Sequence, residues 1–365
     1  MNNKNKNQAI ILAAGVGSRL APLTNSIPKP LAPILGIPVM EHIVNLCKKH
    51  GFTELCANTH IKADEMEKYF CEPEKNFGVS LNLVYEKDLT GVGGGIRSCK
   101  KYLTDQTVLI IMGDAITDAD LSYLYKKHIE NKCAITIGIM EIEDTSQFGV
   151  ILTDENDKVI SFQEKPSAQE AKSNLANTGI YLFDQAILKN MPSPSECPFY
   201  DVAKDLFPSV MSANIPIQAI KINGYWADIG TIKQYKTTLS DVIEGKVKID
   251  TKAKKMPYGY LESSATVDKS VNILGKAYIG KNVQIKKGVV LKGAVFIEEN
   301  AVIEENVVLE NTVVWRNTKI LKDSKISNSI LANDCIVNEG SIISSNSVFA
   351  PYSTICSETE PAKTF

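Results

Sequence analysis

From Ala265 to Ile355 the chain repeats every six residues, and few folds accept such a period. A small or β-branched residue, one intervening residue and a larger apolar one form each inward pair. The pairs run Ala265/Val267, Val271/Ile273, Ala277/Ile279, Val283/Ile285, and stay in phase from Val289/Leu291 to Val307/Leu309 and Val313/Trp315. The phase slips near Lys325–Ser329 and resumes at Ser329/Leu331, Cys335/Val337, Ser341/Ile343, Ser347/Phe349 and Ser353/Ile355. A hexapeptide period predicts a parallel β-helix, in which each short strand turns a corner and stacks on the coil below. In this phase Trp315 points inward, as core or interface rather than ligand site.

Before that repeat the pattern is different. Short apolar runs at Ala9–Ala14, Glu54–Asn58, Leu81–Tyr85 and Val108–Met112 read as strands. Between them Val39–His50, Ala63–Phe70, Gly94–Tyr102 and Ala119–Glu130 read as helices, and further strands fall at Ala134–Ile139, Gly149–Thr153, Gly179–Phe183 and Ile217–Lys221. Strands alternating with helices predict an α/β domain on a parallel sheet. A length of 365 residues suits two domains better than one core. The charged stretch 241–261, with Pro257 and Gly259, is the natural linker, which gives domains at 1–240 and 262–365.

Composition excludes several functions. A net charge of −2 offers no global field for nucleic acid or an anionic membrane, so anion binding has to be local. No apolar run is long enough to span a bilayer. Lys4 and Lys6 before Ala9–Ala14 superficially resemble a secretory leader, but Gly15, Gly17 and Arg19 interrupt the run, which reads better as a buried first strand. Eight scattered cysteines without a Cys-x-x-Cys pair predict reduced, mostly buried thiols and a cytoplasmic protein. The scarce histidines stand nowhere at zinc-ligand spacing from cysteine.

The chemistry concentrates where strands end. Leu12-Ala-Ala14-Gly15-Val-Gly17-Ser-Arg19-Leu20 is a buried strand running into a turn of small residues, then one of only three arginines. Small residues there let a phosphate approach backbone N–H groups. The stretch is not a Walker A loop, since no Gly-Lys-Ser/Thr follows, and it lacks the third glycine of a dinucleotide fingerprint. Lys29, fenced by Pro28 and Pro30, is presented on a stiff segment.

With Gly15-x-Gly17-x-Arg19-Leu20-x-Pro22-Leu23-Thr24 and Pro28-Lys29-Pro30, the chain resembles the sugar-1-phosphate nucleotidylyltransferases, and within them most nearly the mannose-1-phosphate guanylyltransferases. The resemblance implies a Rossmann-like catalytic domain followed by a left-handed β-helix. It extends over Gly91-Val-Gly-Gly94-Gly95, read as a second glycine loop for base and ribose, with Glu86 before it either at the base edge or on the surface. It continues over Gly113-Asp114, Glu164-Lys165-Pro166, Asn177-x-Gly179 and Trp226-Ala-Asp228. By this resemblance Asp114 and Asp228 hold Mg²⁺, and Lys165, with Gly149, Glu164 and Asn177, holds the sugar phosphate. Leu12, Ala14, Gly15, Gly17, Glu86, Gly91 and Gly94 line the nucleotide. The partners implied are a nucleoside triphosphate and a sugar 1-phosphate, with homo-oligomers formed through the β-helix.

These residue types suit that chemistry. A phosphate monoester is already ionised near neutral pH, so its attack on an α-phosphorus needs no general base. The chain has only four histidines, none after His128. Bringing two polyanions together calls instead for cations. Arg19 forks onto the leaving phosphates, Lys29 meets the α-phosphate or the incoming one, and Lys165 grips the sugar phosphate. Blander readings exist for several of these: Asp114 as a helix cap (for which Asp118 or Asp120 is better placed), Asp228 and Asn177 as turn residues, Lys165 as an exposed loop charge. Arg97 is placed on a helix surface or at a phosphate. The absence of histidine from the repeat disfavours a second, acyl-transferring activity there. An enzyme with GTP and mannose 1-phosphate is the first expectation. Glucose 1-phosphate with dTTP, UTP or ATP, a heptose or modified-sugar phosphate, and a non-catalytic regulatory subunit are the alternatives.

Overall fold

The computed structural model describes residues 7–72, 75–104, 107–344 and 346–365; Lys4 and Lys6 lie outside them. The chain divides into two compact units, Met1–Val16 with Ile43–Trp226, and Gly17–His42 with Ala227–Phe365. This division differs from boundaries at 240 and 262. The stretch 17–42 groups with the C-terminal part, and the expected linker contributes two strands, Lys254–Met256 and Gly259–Leu261, to the first β-helix coil.

The first unit is built on a nine-stranded sheet. Its strands are β1 (Asn7–Leu12), β2 (Phe52–Thr59), β3 (Ser80–Tyr85), β4 (Thr107–Met112), β5 (Ile135–Glu141), β6 (Gly149–Thr153), β7 (Val159–Glu164), β8 (Leu175–Asp184) and β9 (Ile217–Lys221). The order is β7-β6-β8-β4-β1-β2-β3, with β5 pairing both β8 and β9. The sheet is mixed, not parallel throughout. β1 through β4 pair in parallel because helices α2 (Ala63–Phe70) and α3 (Gly91–Cys99) supply crossovers; β6, β7 and β8 follow one another without a helix and pair antiparallel. β4 and β1 are buried along most of their length, as a central strand covered on both faces must be. The core gathers Ile10, Ile110, Ile137, Tyr181, Phe183 and Phe207, with the Phe162 ring stacked on Phe207 at 4.8 Å. Helices α1 (Val39–Lys49) and α4 (Leu121–Asn131) complete the elements used below; Asp120 caps α4, accepting from Tyr123 N at 2.9 Å.

The second unit contains the parallel β-helix. Its strands stack at 18 residues per coil in Ala277–Ile279 over Val295–Ile297, but at 17 in Phe296–Ile297 over Val313–Val314. Two corners are one residue short, at Glu310–Asn311 and again at Ser327–Asn328, where both asparagines adopt φ of 47°. The slip near 325–329 is therefore the second of two. After the first, the inward pair is Thr312/Val314, so Val313 and Trp315 face outward. Outward does not mean exposed here. Tyr278, Phe296, Val313, Ile330 and Val348 form one outward row of this face, and all are buried. A strand run apolar at every position is buried on both faces. Helix α5 (Ile232–Glu244) covers part of this face: Trp315 Nε1 donates to Tyr235 Oη at 3.0 Å. Corners elsewhere stack in an amide ladder, Asn282 to Asn300 to Asn317 to Asp334, with gaps of 2.9–3.2 Å. No helix among the described residues is long and apolar enough to cross a membrane.

Candidate active site

In the first unit, the carboxyl ends of β1 and β4 lie side by side: Leu12 pairs with Met112, and Gly113 N donates to Leu12 O at 2.9 Å. This places the turn Ala13–Val16 and the half-buried Asp114 at the same sheet edge, where α/β proteins bind ligands. Asp114 caps no helix; that role falls to Asp120, while Asp118 Oδ1 accepts from Tyr225 N. The turn is braced from below. Ala13 N donates to Asn58 Oδ1 at 2.8 Å, and Asn58 Nδ2 donates to Glu86 Oε1 at 2.9 Å. Gly15 is exposed with open space around it, as a residue left clear for a ligand would be.

Glu86 is not on the surface. It is 6% exposed, and its carboxylate accepts from Asn58, from Thr90 Oγ1 at 3.1 Å and from Ser98 Oγ at 3.2 Å. Those bonds tie it through Asn58 to the turn Ala13–Val16, and through Thr90 and Ser98 to the start of α3.

The second glycine segment is not a loop. Gly91–Gly95 forms the first turn of α3, which opens at Gly91 with φ of +80°, three residues earlier than expected. Glycines weaken helices, but here they let a second backbone approach. Gly94 N donates to Tyr200 O at 3.0 Å, Tyr200 N donates to Thr90 O at 2.8 Å, and a Cβ at Gly93 would strike the Tyr200 ring. Arg97 donates to the carbonyls of Pro192 and Cys197 at 2.8 and 2.9 Å. It braces the stretch 192–198.

The residues expected at the sugar phosphate lie on or next to β6, β7 and β8. Gly149 pairs with Glu164, and a Cβ at Gly149 would come within 3.2 Å of Glu164 Oε2. Lys165 follows with φ of 46°, half exposed, its Nζ 3.6 Å from Glu164 Oε1. Asn177 does shape a turn, since its Oδ1 accepts from Gly179 N at 3.1 Å; its side chain also bonds the buried Tyr181 hydroxyl, whose pKa burial raises. Gly179 lies against the Met112 side chain, which sets this turn beside the end of β4.

In the second unit, Arg19 is exposed in a single 3-10 turn, Ser18–Leu20, and its carbonyl accepts from Lys363 Nζ at 2.9 Å. Lys29 is only 6% exposed, rare for lysine, and its Nζ lies 3.0 Å from Asp228 Oδ1. Its Cβ packs against Gly17, and Thr24 Oγ1 donates to Gly17 O at 3.0 Å. A Cβ at Gly230 would lie 2.5 Å from Asp228 Oδ2 and 3.1 Å from Arg19 Nη2, so this unit gathers Arg19, Lys29 and Asp228 together.

Sequence reasoning missed Asn58, Thr90, Ser98, Tyr181 and Tyr200. Asn58 carried a usable signal: a lone amide at the carboxyl end of a buried strand. Thr90 and Ser98 act through bonds to Glu86, Tyr200 through backbone approach and Tyr181 through a bond to Asn177, which no spacing displays.

Comparison with known proteins gives the following. The family described as "Nucleotidyl transferase" matches residues 8–245, and that described as "GMPPB C-terminal domain" matches 273–360. A UTP–glucose-1-phosphate uridylyltransferase of Synechocystis sp. is 34% identical over 296 residues, covering 76% of this chain and 75% of the relative. A mannose-1-phosphate guanylyltransferase of Mycobacterium tuberculosis is 27% identical over 278 residues, 76% of each chain. A crystal structure of a glucose-1-phosphate thymidylyltransferase, so assigned provisionally, from Bacillus anthracis in complex with a sucrose is 25% identical with a TM-score of 0.56, covering 64% of this chain and 94% of that one.

Proposed function

The chain belongs to the nucleotidyl transferase family and is a sugar-1-phosphate nucleotidyltransferase, and we propose that its substrates are GTP and mannose 1-phosphate. The match of residues 273–360 to the GMPPB C-terminal domain supports this choice, since it adds the C-terminal part to the match of the catalytic part. A second reading, UTP with glucose 1-phosphate, is favoured by the Synechocystis relative.

In the proposed reaction a sugar-phosphate oxygen bonds to the α-phosphorus of the nucleoside triphosphate as the bond to the β-phosphate bridging oxygen breaks. Pyrophosphate leaves and the nucleoside diphosphate sugar remains. The nucleophile is ionised at neutral pH, so the chain has to supply charge and orientation rather than a base. Lys29, seated on Asp228, offers an ammonium already aimed and largely desolvated, where each charge contact is strengthened. Arg19 offers an exposed fork for the departing pyrophosphate. The turn 13–17 offers backbone N–H groups, and Lys165 with Asn177 takes the sugar phosphate and sugar. Asp114, in the first unit, and Asp228, in the second, would each offer Mg²⁺ a carboxylate, the hard oxygen donor that ion prefers. When bound, the ion neutralises phosphate charge and favours pyrophosphate departure.

The test is pyrophosphate release over GTP, UTP, dTTP and ATP, each with mannose and glucose 1-phosphates. Turnover highest for GTP with mannose 1-phosphate supports the proposal. Preference for UTP with glucose 1-phosphate installs the second reading, and silence of every pair overturns both.

A further inference from the structure

The Lys29 segment is seated on the β-helix within its own unit. Ala32 N donates to Lys29 O, and Ala32 O accepts from Val39 N, both at 3.0 Å. The lysine turn and the hairpin Pro33–Ile34/Ile37–Pro38 are thus one tied piece. The hairpin tip, Leu35–Gly36, has φ of 49° and 76° and rests on outward residues of the β-helix. Gly36 N donates to Glu298 Oε1 at 3.4 Å, and a Cβ on Gly36 would collide with the Tyr278 hydroxyl. The hairpin base is held as well: Tyr235 Oη donates to Pro33 O at 2.7 Å and accepts from Trp315 Nε1. Glu298, Tyr278, Tyr235 and Trp315 are all buried.

We propose that Glu298, with the Trp315–Tyr235 pair beside it, is a positioning residue for Lys29: the β-helix seats the hairpin, and the hairpin seats the ammonium on Asp228. This rests on the nucleotidyl-transfer reading, in which Lys29 meets phosphate. It gives the β-helix a part in the reaction although it carries no reacting group.

A carboxyl group in that place brings a pH dependence. Burial pushes the Glu298 carboxyl up to about 8, Glu299 adds to the rise, and the Gly36 N–H opposes it. The other titratable groups around the contact are Tyr278 and Tyr235, which burial pushes up so that they stay neutral, Glu299, Glu262 beyond Tyr278, and His42, whose ring bonds Ile34 O of the hairpin. Glu298 therefore seats the hairpin as a neutral acid. Ionisation above about pH 8 puts a buried negative charge under the hairpin tip, with the Glu299 carboxylate nearby.

The test compares wild type, Glu298→Gln and Glu298→Leu by kcat and KM between about pH 6.5 and 9.5. Glu298→Gln should match wild type at neutral pH and abolish the wild-type fall in kcat as pH rises through about 8. Glu298→Leu, which strands the Gly36 N–H, should lower kcat roughly tenfold with KM little changed. A readout without turnover runs beside it: acylation of Lys29 by an amine reagent, followed by peptide mass spectrometry at fixed neutral pH. Labelling should rise in Glu298→Leu and stay at the wild-type rate in Glu298→Gln. Identical pH profiles for wild type and Glu298→Gln, or wild-type labelling and kcat in Glu298→Leu, overturn the proposal. The labelling arm does so whatever the substrates prove to be, so its failure is distinct from failure of the nucleotidyl-transfer reading.

Discussion

Replacing Glu86 by leucine should destabilise the first unit while glutamine at the same place is tolerated. The carboxylate takes two donors on Oε1, Asn58 Nδ2 at 2.9 Å and Ser98 Oγ at 3.2 Å, and one on Oε2, Thr90 Oγ1 at 3.1 Å. Leucine is close to glutamate in volume, so the cavity contribution is small. What remains is the cost of donors left without an acceptor, about 1–3 kcal/mol each. Ser98 keeps Gly95 O at 2.8 Å, which leaves Asn58 and Thr90 stranded. Their sum is about 2–5 kcal/mol, toward the lower end for the partly exposed Thr90. Glutamine keeps one acceptor oxygen for Asn58, and the Thr90 hydroxyl can turn to accept from its amide, for a loss of about 1 kcal/mol. Because Asn58 holds Ala13 N, the leucine variant should also loosen the phosphate turn. Thermal unfolding and hydrogen exchange of the peptide spanning Leu12–Ala14 read the two effects, with a melting shift of several degrees expected. If Glu86→Leu melts and exchanges like wild type, the network does not hold the turn. If Glu86→Gln is as damaging as leucine, the charge itself is required and Glu86 reads ligand after all.

Other outcomes follow from the same geometry. His42 is buried with its Nε2 3.0 Å from Ile34 O, and burial pushes its pKa down to about 4. The unfolded chain therefore takes up that proton first, so the second unit should lose roughly 3 kcal/mol as pH falls from 6.5 to about 4. A melting curve of His42→Gln that is as acid-sensitive as wild type would remove His42 as the cause. Gly95→Ala puts a methyl against Asn58 Nδ2 and within 3.2 Å of Leu12 Cδ2. It should weaken nucleoside triphosphate binding roughly tenfold by displacing Asn58 and the turn it holds, which titration calorimetry would measure.

Most of the architecture was legible in the sequence, and so were the charged residues proposed as a clamp, but not how they are held. The six-residue period betrayed the β-helix because each coil buries its small and large residues in a fixed order. Trp315 misled for a physical reason: one corner lacks a residue, and a face covered on both sides is apolar at every position, so in-and-out alternation vanishes there. Arg19, Lys29 and Asp228 stood out because each lies in a distinctive local motif, and the structure gathers the three in one unit. Gly91–Gly95 read as a loop because glycine disfavours helix, and only the 199–200 backbone lying on it explains why the helix begins there. Glu86 stayed open between a base edge and the surface because nothing in a linear sequence shows three neutral donors converging on it. The mixed sheet was hidden because apolar runs mark strands without giving their direction.

The most direct measurement on the central claim is the turnover of Lys29→Met with the best substrate pair, followed by pyrophosphate release. The account predicts a fall in kcat of roughly 10²–10³ in a protein that remains folded, because the ammonium acts on charge that develops in the transition state. A folded Lys29→Met enzyme with kcat within about threefold of wild type would contradict it, and the Lys29–Asp228 pair would then be a structural ion pair only.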